Sequence, residues 1–310
     1  MKYIEIQNLY KNFGDFIAIE NLNLSVEKGE IFGLLGPNGA GKSTTINILC
    51  SILDKDKGSI KINNKELMKN DREIKSKIGF VPQDLAIFED MTALENIMFF
   101  GSLYGIKGKT LKEKSLQALD FVGLESTKKL SKTFSGGMKR RLNIACGIVH
   151  NPELLILDEP TVGIDPQSRN HIMKSIKMLN SNGCTIIYTT HYMEEVESIC
   201  NNIAIMDKGR VIASGSKADL KSIITDKDKY EILVNDITSI NEKDLSELKG
   251  VSDIEFKENK IYFSIDKEIN GLNEFILYLS TQDIKILDIK SSTVTLEDVF
   301  LNLTGRKLRD

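Results

Sequence analysis

Two short runs carry residue types suited to phosphate chemistry. The first is Gly36-Pro37-Asn38-Gly39-Ala40-Gly41-Lys42-Ser43-Thr44, with the spacing G-x-x-x-x-G-K-[ST]. Its glycines let the backbone curl until several N–H groups point at one anion, and a helix starting after Gly41 aims its positive end at the same place. Lys42 adds a point charge for the β- and γ-phosphates of a nucleotide, and Ser43 offers a hydroxyl to Mg²⁺. The second run, Leu154-Leu155-Ile156-Leu157-Asp158-Glu159-Pro160, is an apolar strand ending in two acids. In a parallel α/β sheet, ligands bind at the carboxyl ends of the strands. Asp158 is then placed to hold Mg²⁺, directly or through water. Glu159, one residue further out, is placed to orient or deprotonate an attacking water. The pair also reads as a solvated turn, but the phosphate loop upstream favours the chemical reading.

Strands and helices must deliver these residues to one place, and the hydrophobic pattern supplies them. Tyr3-Ile4-Glu5-Ile6 and Ala18-Ile19-Glu20-Asn21-Leu22-Asn23-Leu24 alternate as half-buried strands. Glu27-Lys28-Gly29-Glu30 predicts a turn, Ile31–Leu35 a short buried strand, and Ile46, Leu49 and Ile52 mark one face of a helix after Gly41. Residues 84–150 change character, with helical periodicity around Leu94–Tyr104, Leu111–Val122 and Met138–Val149 and no convincing strand between them. The strand Leu154–Leu157 follows, then a helix near Ser168–Leu179 and strands at Thr185–Thr189, Ile203–Met206 and Val211–Ala213. Alternating strands and helices imply a mostly parallel sheet covered on both faces. Lys221–Lys229 loses the pattern and reads as a linker. Beyond it, strands at Tyr230–Val234, Ile254–Phe256, Ile261–Ile265 and Ile284–Ile289, with helices at Leu272–Leu279 and Leu296–Leu303, predict a small α+β domain. The expected division is residues 1–222 and 223–310.

Composition narrows the function. The 310 residues carry a net charge of −3, whereas a dedicated nucleic-acid binder is usually basic. Cys50, Cys146, Cys184 and Cys200 show no CxxC spacing, and His150, His171 and His191 are as dispersed, so neither set reads as a metal site or a disulfide framework. No window reaches the roughly 20 apolar residues that span a bilayer, and the N-terminus lacks the apolar run of a signal peptide. A cytoplasmic chain is expected, held at any membrane by something else.

One run is left over: Lys132-Thr133-Phe134-Ser135-Gly136-Gly137-Met138-Lys139-Arg140-Arg141. Taken alone, Ser135 is a helix N-cap and the glycines are tolerated beside it. Taken in order with the phosphate loop, the acid-ended strand and the later Tyr188-Thr189-Thr190-His191, it resembles the signature motif of the nucleotide-binding subunits of ABC transporters. The resemblance covers residues 1 to about 220. FSGGMKRRL, TVGIDP and the tail Thr295–Gly305 make it more similar to the bacterial drug-export, A-subfamily type. The common form L-S-G-G-Q has Phe134 and Met138 at its outer positions here.

That resemblance implies the rest of the reading. The fold class is α/β: a RecA-like P-loop NTPase core with an antiparallel β subdomain and a helical subdomain at about 84–150, plus the small C-terminal α+β domain. The activity is ATP hydrolysis with ATP and Mg²⁺ as cofactors. Gln83 matches the Q-loop glutamine that touches Mg²⁺ or the water, His191 the switch histidine near the γ-phosphate, and Asp165 the acid of the D-loop. Phe13 matches the aromatic that stacks on adenine, with Tyr10 and Phe16 as rivals. Ser135, Gly136 and Gly137 close over ATP held by the phosphate loop of a second ATP-binding subunit, taken as a homodimer. An integral membrane permease is the other partner, contacted through residues 84–105, and the chain is peripheral on the inner face of the cell membrane. Nucleic acid is not an expected partner. Lys139-Arg140-Arg141 cannot share one helix face and reads as a solvated surface or a contact with a partner's acids. The alternative is a soluble ABC ATPase acting on ribosome or DNA. Against it, only about 90 residues separate Lys42 from Ser135, too few for a long coiled-coil insert.

Overall fold

The computed structural model describes residues 1–305 apart from residues 70, 127, 225–226, 239, 267–268, 270 and 293–294. Two compact units result, Met1–Lys217 and a second beginning at Ala218.

The first unit opens with strands β1 (Lys2–Phe13), β2 (Phe16–Glu27) and β3 (Ile31–Leu35), then helix α1 (Lys42–Leu49), strands β4 (Lys57–Ile62) and β5 (Lys65–Glu66), helix α2 (Arg72–Lys75) and strand β6 (Ile78–Val81). Helices α3 (Ala93–Leu103), α4 (Gly108–Phe121) and α5 (Gly136–Ile148) follow. The chain returns through β7 (Leu154–Asp158), α6 (Pro166–Ser181), β8 (Thr185–Thr190), α7 (Met193–Ile199), β9 (Asn202–Asp207) and β10 (Arg210–Ser216). Helix α8 (Lys217–Ser222) leads onward.

Two sheets share one core. β1, β2, β4 and β5 form an antiparallel sheet in the order β2-β1-β4-β5; the other runs β10-β9-β3-β8-β7-β6. Pairings from β9 to β6 are parallel, and β10 closes the edge antiparallel to β9. β3, β7 and β8 are buried along their whole length, as expected for parallel strands covered on both faces. Ile4, Ile6 and Leu22 from the antiparallel sheet, Leu34, Ile156 and Ile187 from the parallel one, and Ile46 and Leu49 of α1 meet in a single cluster.

Helix ends follow local chemistry. Thr92 and Glu95 form a capping box on α3, and Asp165 caps α6 ahead of Pro166. α1 stops earlier than the apolar spacing implies. Ser51 turns left-handed at φ 52°, the amides of Ile52 and Leu53 both donate to the Asn47 carbonyl, and Ile52 lies exposed.

The second unit contains β11 (Lys227–Val234), α9 (Glu242–Ser246), β12 (Val251–Lys257), β13 (Lys260–Asp266), α10 (Gly271–Thr281), β14 (Ile286–Ser292) and α11 (Leu296–Thr304). Its antiparallel sheet has the order β12-β13-β11-β14. With the connectivity β11-α9-β12-β13-α10-β14, this is the ferredoxin-like, split βαβ arrangement. Ile232, Ile261, Phe263 and Phe275 fill its core, with the Phe263 and Phe275 rings stacked 3.8 Å apart. The segment Lys221–Lys229, expected as a linker, is largely structured: α8 ends at Ser222 and β11 begins at Lys227, while residues 225 and 226 lie outside the described residues. The division falls after Lys217, the first residue of α8, five residues ahead of the expected one.

Candidate functional site

β8 lies between β3 and β7. Three neighbouring parallel strands therefore end side by side, one leading into the phosphate loop, one into His191 and one into Asp158 and Glu159. The loop from Gly36 to Thr44 joins β3 to α1. Gly41 stands at φ 100°, a left-handed conformation open to glycine, and a side chain there would meet the Ala18 carbonyl at 2.8 Å. Pro37 and Ala40 are buried, Asn38, Gly39 and Ser43 exposed, and Thr44 half-buried. No side chain caps the first turn of α1, which leaves its amides available to an anion.

Lys42 is 4% exposed. Its Nζ donates to the Gly36 carbonyl at 2.7 Å and the Pro37 carbonyl at 3.1 Å, and stands 3.4 Å from Glu159 Oε1. Burial holds the ammonium below the usual lysine value, and Glu159 opposes that shift.

Asp158 and Glu159 are both buried at the carboxyl end of β7. The Thr189 hydroxyl donates to Asp158 Oδ1 at 2.6 Å, and the Glu159 amide donates to Thr189 Oγ1 at 2.9 Å. Glu159 has φ 47°, an unfavourable conformation for a non-glycine residue, and the more so before Pro160. Thr189 on the adjacent strand pins it there. The result turns the carboxylate back: Oε1 faces Lys42, and Oε2 lies 3.2 Å from His191 Nδ1, a contact that the Nδ1–H tautomer donates. The structure thus brings Lys42, Asp158, Glu159 and His191 together.

Gln83 follows β6 and is exposed; its carbonyl accepts from Arg140 Nη2 at 2.7 Å, and that of Pro82 accepts from Nη1 at 3.1 Å. This corrects the reading of Lys139-Arg140-Arg141. Arg140 is buried against the Gln83 segment, Arg141 donates to the Val122 and Gly123 carbonyls, and Lys139 pairs with Glu89 at 2.6 Å. A helix points successive residues in different directions, so each finds its own carbonyls or acid.

Ser135 is the N-cap of α5, its Oγ accepting from the Met138 amide at 3.2 Å. Ser135 and Gly136 are exposed, while Gly137 is buried. A Cβ on Gly137 would stand 2.2 Å from Ser168 Oγ and 3.0 Å from Asp165 Oδ2. Close approach of α6 is therefore what demands glycine at 137, beyond any need to bare its N–H. Phe13 ends β1 beside the hairpin turn, half-exposed, with the Lys11 ammonium 5.4 Å from its ring centre; Phe16 opposite it is still more exposed.

Thr189 and Arg140 enter the sequence analysis only as members of longer runs, with no role of their own, and Glu195 does not enter it. The available signal is polarity: Thr189 stands in a strand buried at every position, where a hydroxyl needs a partner.

A glycine-rich turn holding a buried lysine against strand-end acids is the architecture of a P-loop nucleotide hydrolase. The ABC transporter family matches residues 19–162. Linearmycin resistance ATP-binding protein LnrL of Bacillus subtilis (strain 168) is 43% identical over 310 residues, 99% of this chain and 100% of that one. Nod factor export ATP-binding protein I of Cupriavidus metallidurans is 34% identical over 313 residues, 99% of each chain. Among solved structures, cbiO1 from Clostridium perfringens, part of the ABC transporter complex cbiONQ, aligns with a TM-score of 0.65 and 31% identity over 71% of this chain and 91% of that one. An ATP-binding cassette in a dimeric post-hydrolysis state bound to ADP and Pi aligns at 0.62 and 28%, over 69% and 98%. The chain belongs to the ATP-binding subunits of ABC transporters and is an ABC ATPase. These transporter relatives set aside the ribosome- or DNA-directed alternative. Among the described residues, no helix is long and apolar enough to cross a membrane.

Proposed function

We propose that this chain is the ATPase subunit of an exporter, cytoplasmic and peripheral on the inner face of the membrane, where it energises a separately encoded permease. The observation that carries the chemistry is the Glu159 carboxylate held between Lys42 and His191. Lys42 and the α1 amides bind the phosphates of ATP. Glu159 orients the attacking water and takes its proton, and His191 holds Glu159 and the γ-phosphate in register. The donor set fits Mg²⁺: Asp158 and Ser43 offer hard oxygens, with Gln83 nearby in sequence to a strand of the same sheet. When bound, Mg²⁺ neutralises charge on the β- and γ-phosphates.

Ser135, Gly136 and Gly137 serve the other half of a homodimer. The exposed Ser135 hydroxyl accepts from Met138 and keeps its own proton to donate to the nucleotide of the second copy. Phe13 stacks on the adenine. The relatives' names, one concerning linearmycin resistance and one Nod factor export, support the outward direction.

The test is to tag the chain in its own cell, solubilise membranes gently and identify what co-purifies. A stoichiometric multi-span membrane protein is the expected result. Ribosomes or nucleic acid retained through high salt would leave the ATPase chemistry standing and overturn the transport function.

A further inference from the structure

Beside the nucleotide site lies a buried acid that the hydrolytic chemistry does not use. Glu195, in α7, is 2% exposed. Thr161 donates to its Oε1 at 2.6 Å, and Tyr188 and Thr190 donate to its Oε2 at 2.8 and 2.9 Å. Arg169 of α6 stands 3.5 Å from Oε1 as an ion pair. A buried carboxylate is costly to desolvate, and one with this many partners fixes the segments it joins.

Those segments are the two flanks of the site. Thr161 is two residues past Glu159, and Thr190 immediately precedes His191. One side chain therefore holds, through the hydroxyls of Thr161 and Thr190, the segment that carries each partner of the Glu159–His191 contact. Thr190 Oγ1 also accepts from the Tyr192 amide at 3.0 Å, which fixes the turn on the far side of His191. The Arg169 guanidinium lies 5.1 Å from the Tyr192 ring centre, and that ring lies 4.3 Å from the His191 ring. Arg169 thus reaches His191 by two routes, one through Glu195 and one through Tyr192.

Arg169 sits one turn into α6, its amide bonded to the Asp165 carbonyl. The same first turn presents Ser168 and Asp165 to Gly137 at the start of α5. We propose that Arg169 and Glu195 are a positioning pair that seats His191 on Glu159 and couples that contact to the first turn of α6, and so to the Ser135–Gly137 segment. The inference rests on the proposed roles of Glu159 and His191. Neither Arg169 nor Glu195 touches the reacting atoms.

The chain has three histidines, so imidazole NMR signals of the full-length protein are resolvable and can be assigned by single substitutions. His171 reports on α6 itself and His150 on a distant packing site. Arg169→Met removes the charge and keeps the stem. The expected result is a shift of the His191 signals with those of His150 unmoved. The ATPase kcat falls about tenfold at unchanged KM, because a displaced group loses rate rather than ground-state binding. Arg169→Lys restores part of the loss. Should Arg169→Met not fold, Tyr192→Leu interrupts the second route and is read in the same way. Unmoved His191 signals and an unchanged kcat in a folded variant overturn the positioning pair. Glu159→Gln serves as the control: if it also turns over normally, the catalytic assignment beneath the inference has failed instead.

Discussion

Glu159 and His191 meet through a single contact, Oε2 to Nδ1 at 3.2 Å, while the other carboxylate oxygen stays 3.4 Å from the Lys42 ammonium. A left-handed backbone at Glu159 and the Thr189 hydroxyl beneath it make that double engagement possible. The geometry ties one carboxylate to both the Lys42 ammonium and the His191 imidazole.

Glu159→Gln keeps the shape of the side chain and one of its two acceptor oxygens, and removes its basicity. Turnover is expected to fall by about 10²–10⁴, with ATP binding retained, as read by phosphate release alongside equilibrium binding. Near-normal turnover would refute the general-base assignment.

Gly137→Ala places a methyl group 2.2 Å from Ser168 Oγ and 2.7 Å from its Cβ, where α5 and α6 must part. Overpacking of this kind costs about 1–3 kcal/mol. Gly136→Ala meets nothing within 4 Å, so its thermal midpoint is expected to match the parent. Pairing Gly137→Ala with Ser168→Gly should recover the loss. Equal stability of the two alanine variants would show that the α5–α6 approach is looser than described.

Arg140 anchors the Gln83 segment from α5, and Asn143 adds a bond from the Ala86 amide at 3.2 Å. Hydrogen bonds from a charged donor contribute about 1.5–3 kcal/mol each. Arg140→Met is therefore expected to lower the urea midpoint and, by releasing Gln83, to slow ATP hydrolysis. A folded Arg140→Met protein with unchanged hydrolysis would mean that Gln83 does not depend on this anchor.

His150 stacks on Tyr104 with ring centres 3.5 Å apart, and Nε2 lies 3.2 Å from the Ile78 carbonyl. Burial pushes the imidazole from the usual 6.5 down to about 4. The unfolded chain takes up this proton as pH falls through 6.5, and the folded chain does not until about 4. The stability present above pH 6.5 is thus lost progressively between those values, by up to about 3 kcal/mol. Urea midpoints measured across that window should fall for the parent and stay flatter for His150→Phe. Parallel curves would exclude His150 as the source of the acid sensitivity.

Much of the site is legible from local pattern. The phosphate loop and the acid-ended strand are contiguous motifs, and each forms where a buried strand meets a turn, so Gly36–Thr44 and Asp158-Glu159 announce themselves. The long helices α3 to α6 are visible for a similar reason: over 11 to 16 residues their apolar period repeats several times. Short elements are not. α7 has seven residues and α2 four, too few for a period to show, and both are held by tertiary contacts rather than by propensity.

The residue types for nucleotide chemistry were determined by the sequence itself, because glycine spacing, a lysine and strand-end acids act through the local backbone. What the tertiary structure alone decided is who touches whom across distance. It placed β8 between β3 and β7, so that Thr189 pins Glu159 and His191 completes it. It turned Arg140 inward onto the Gln83 segment, where charge pattern suggested a surface, and made Gly137 a packing contact with Ser168. Each depends on residues 30 to 57 positions apart. Such pairings are set by sheet order and helix packing, which no local run of residues encodes.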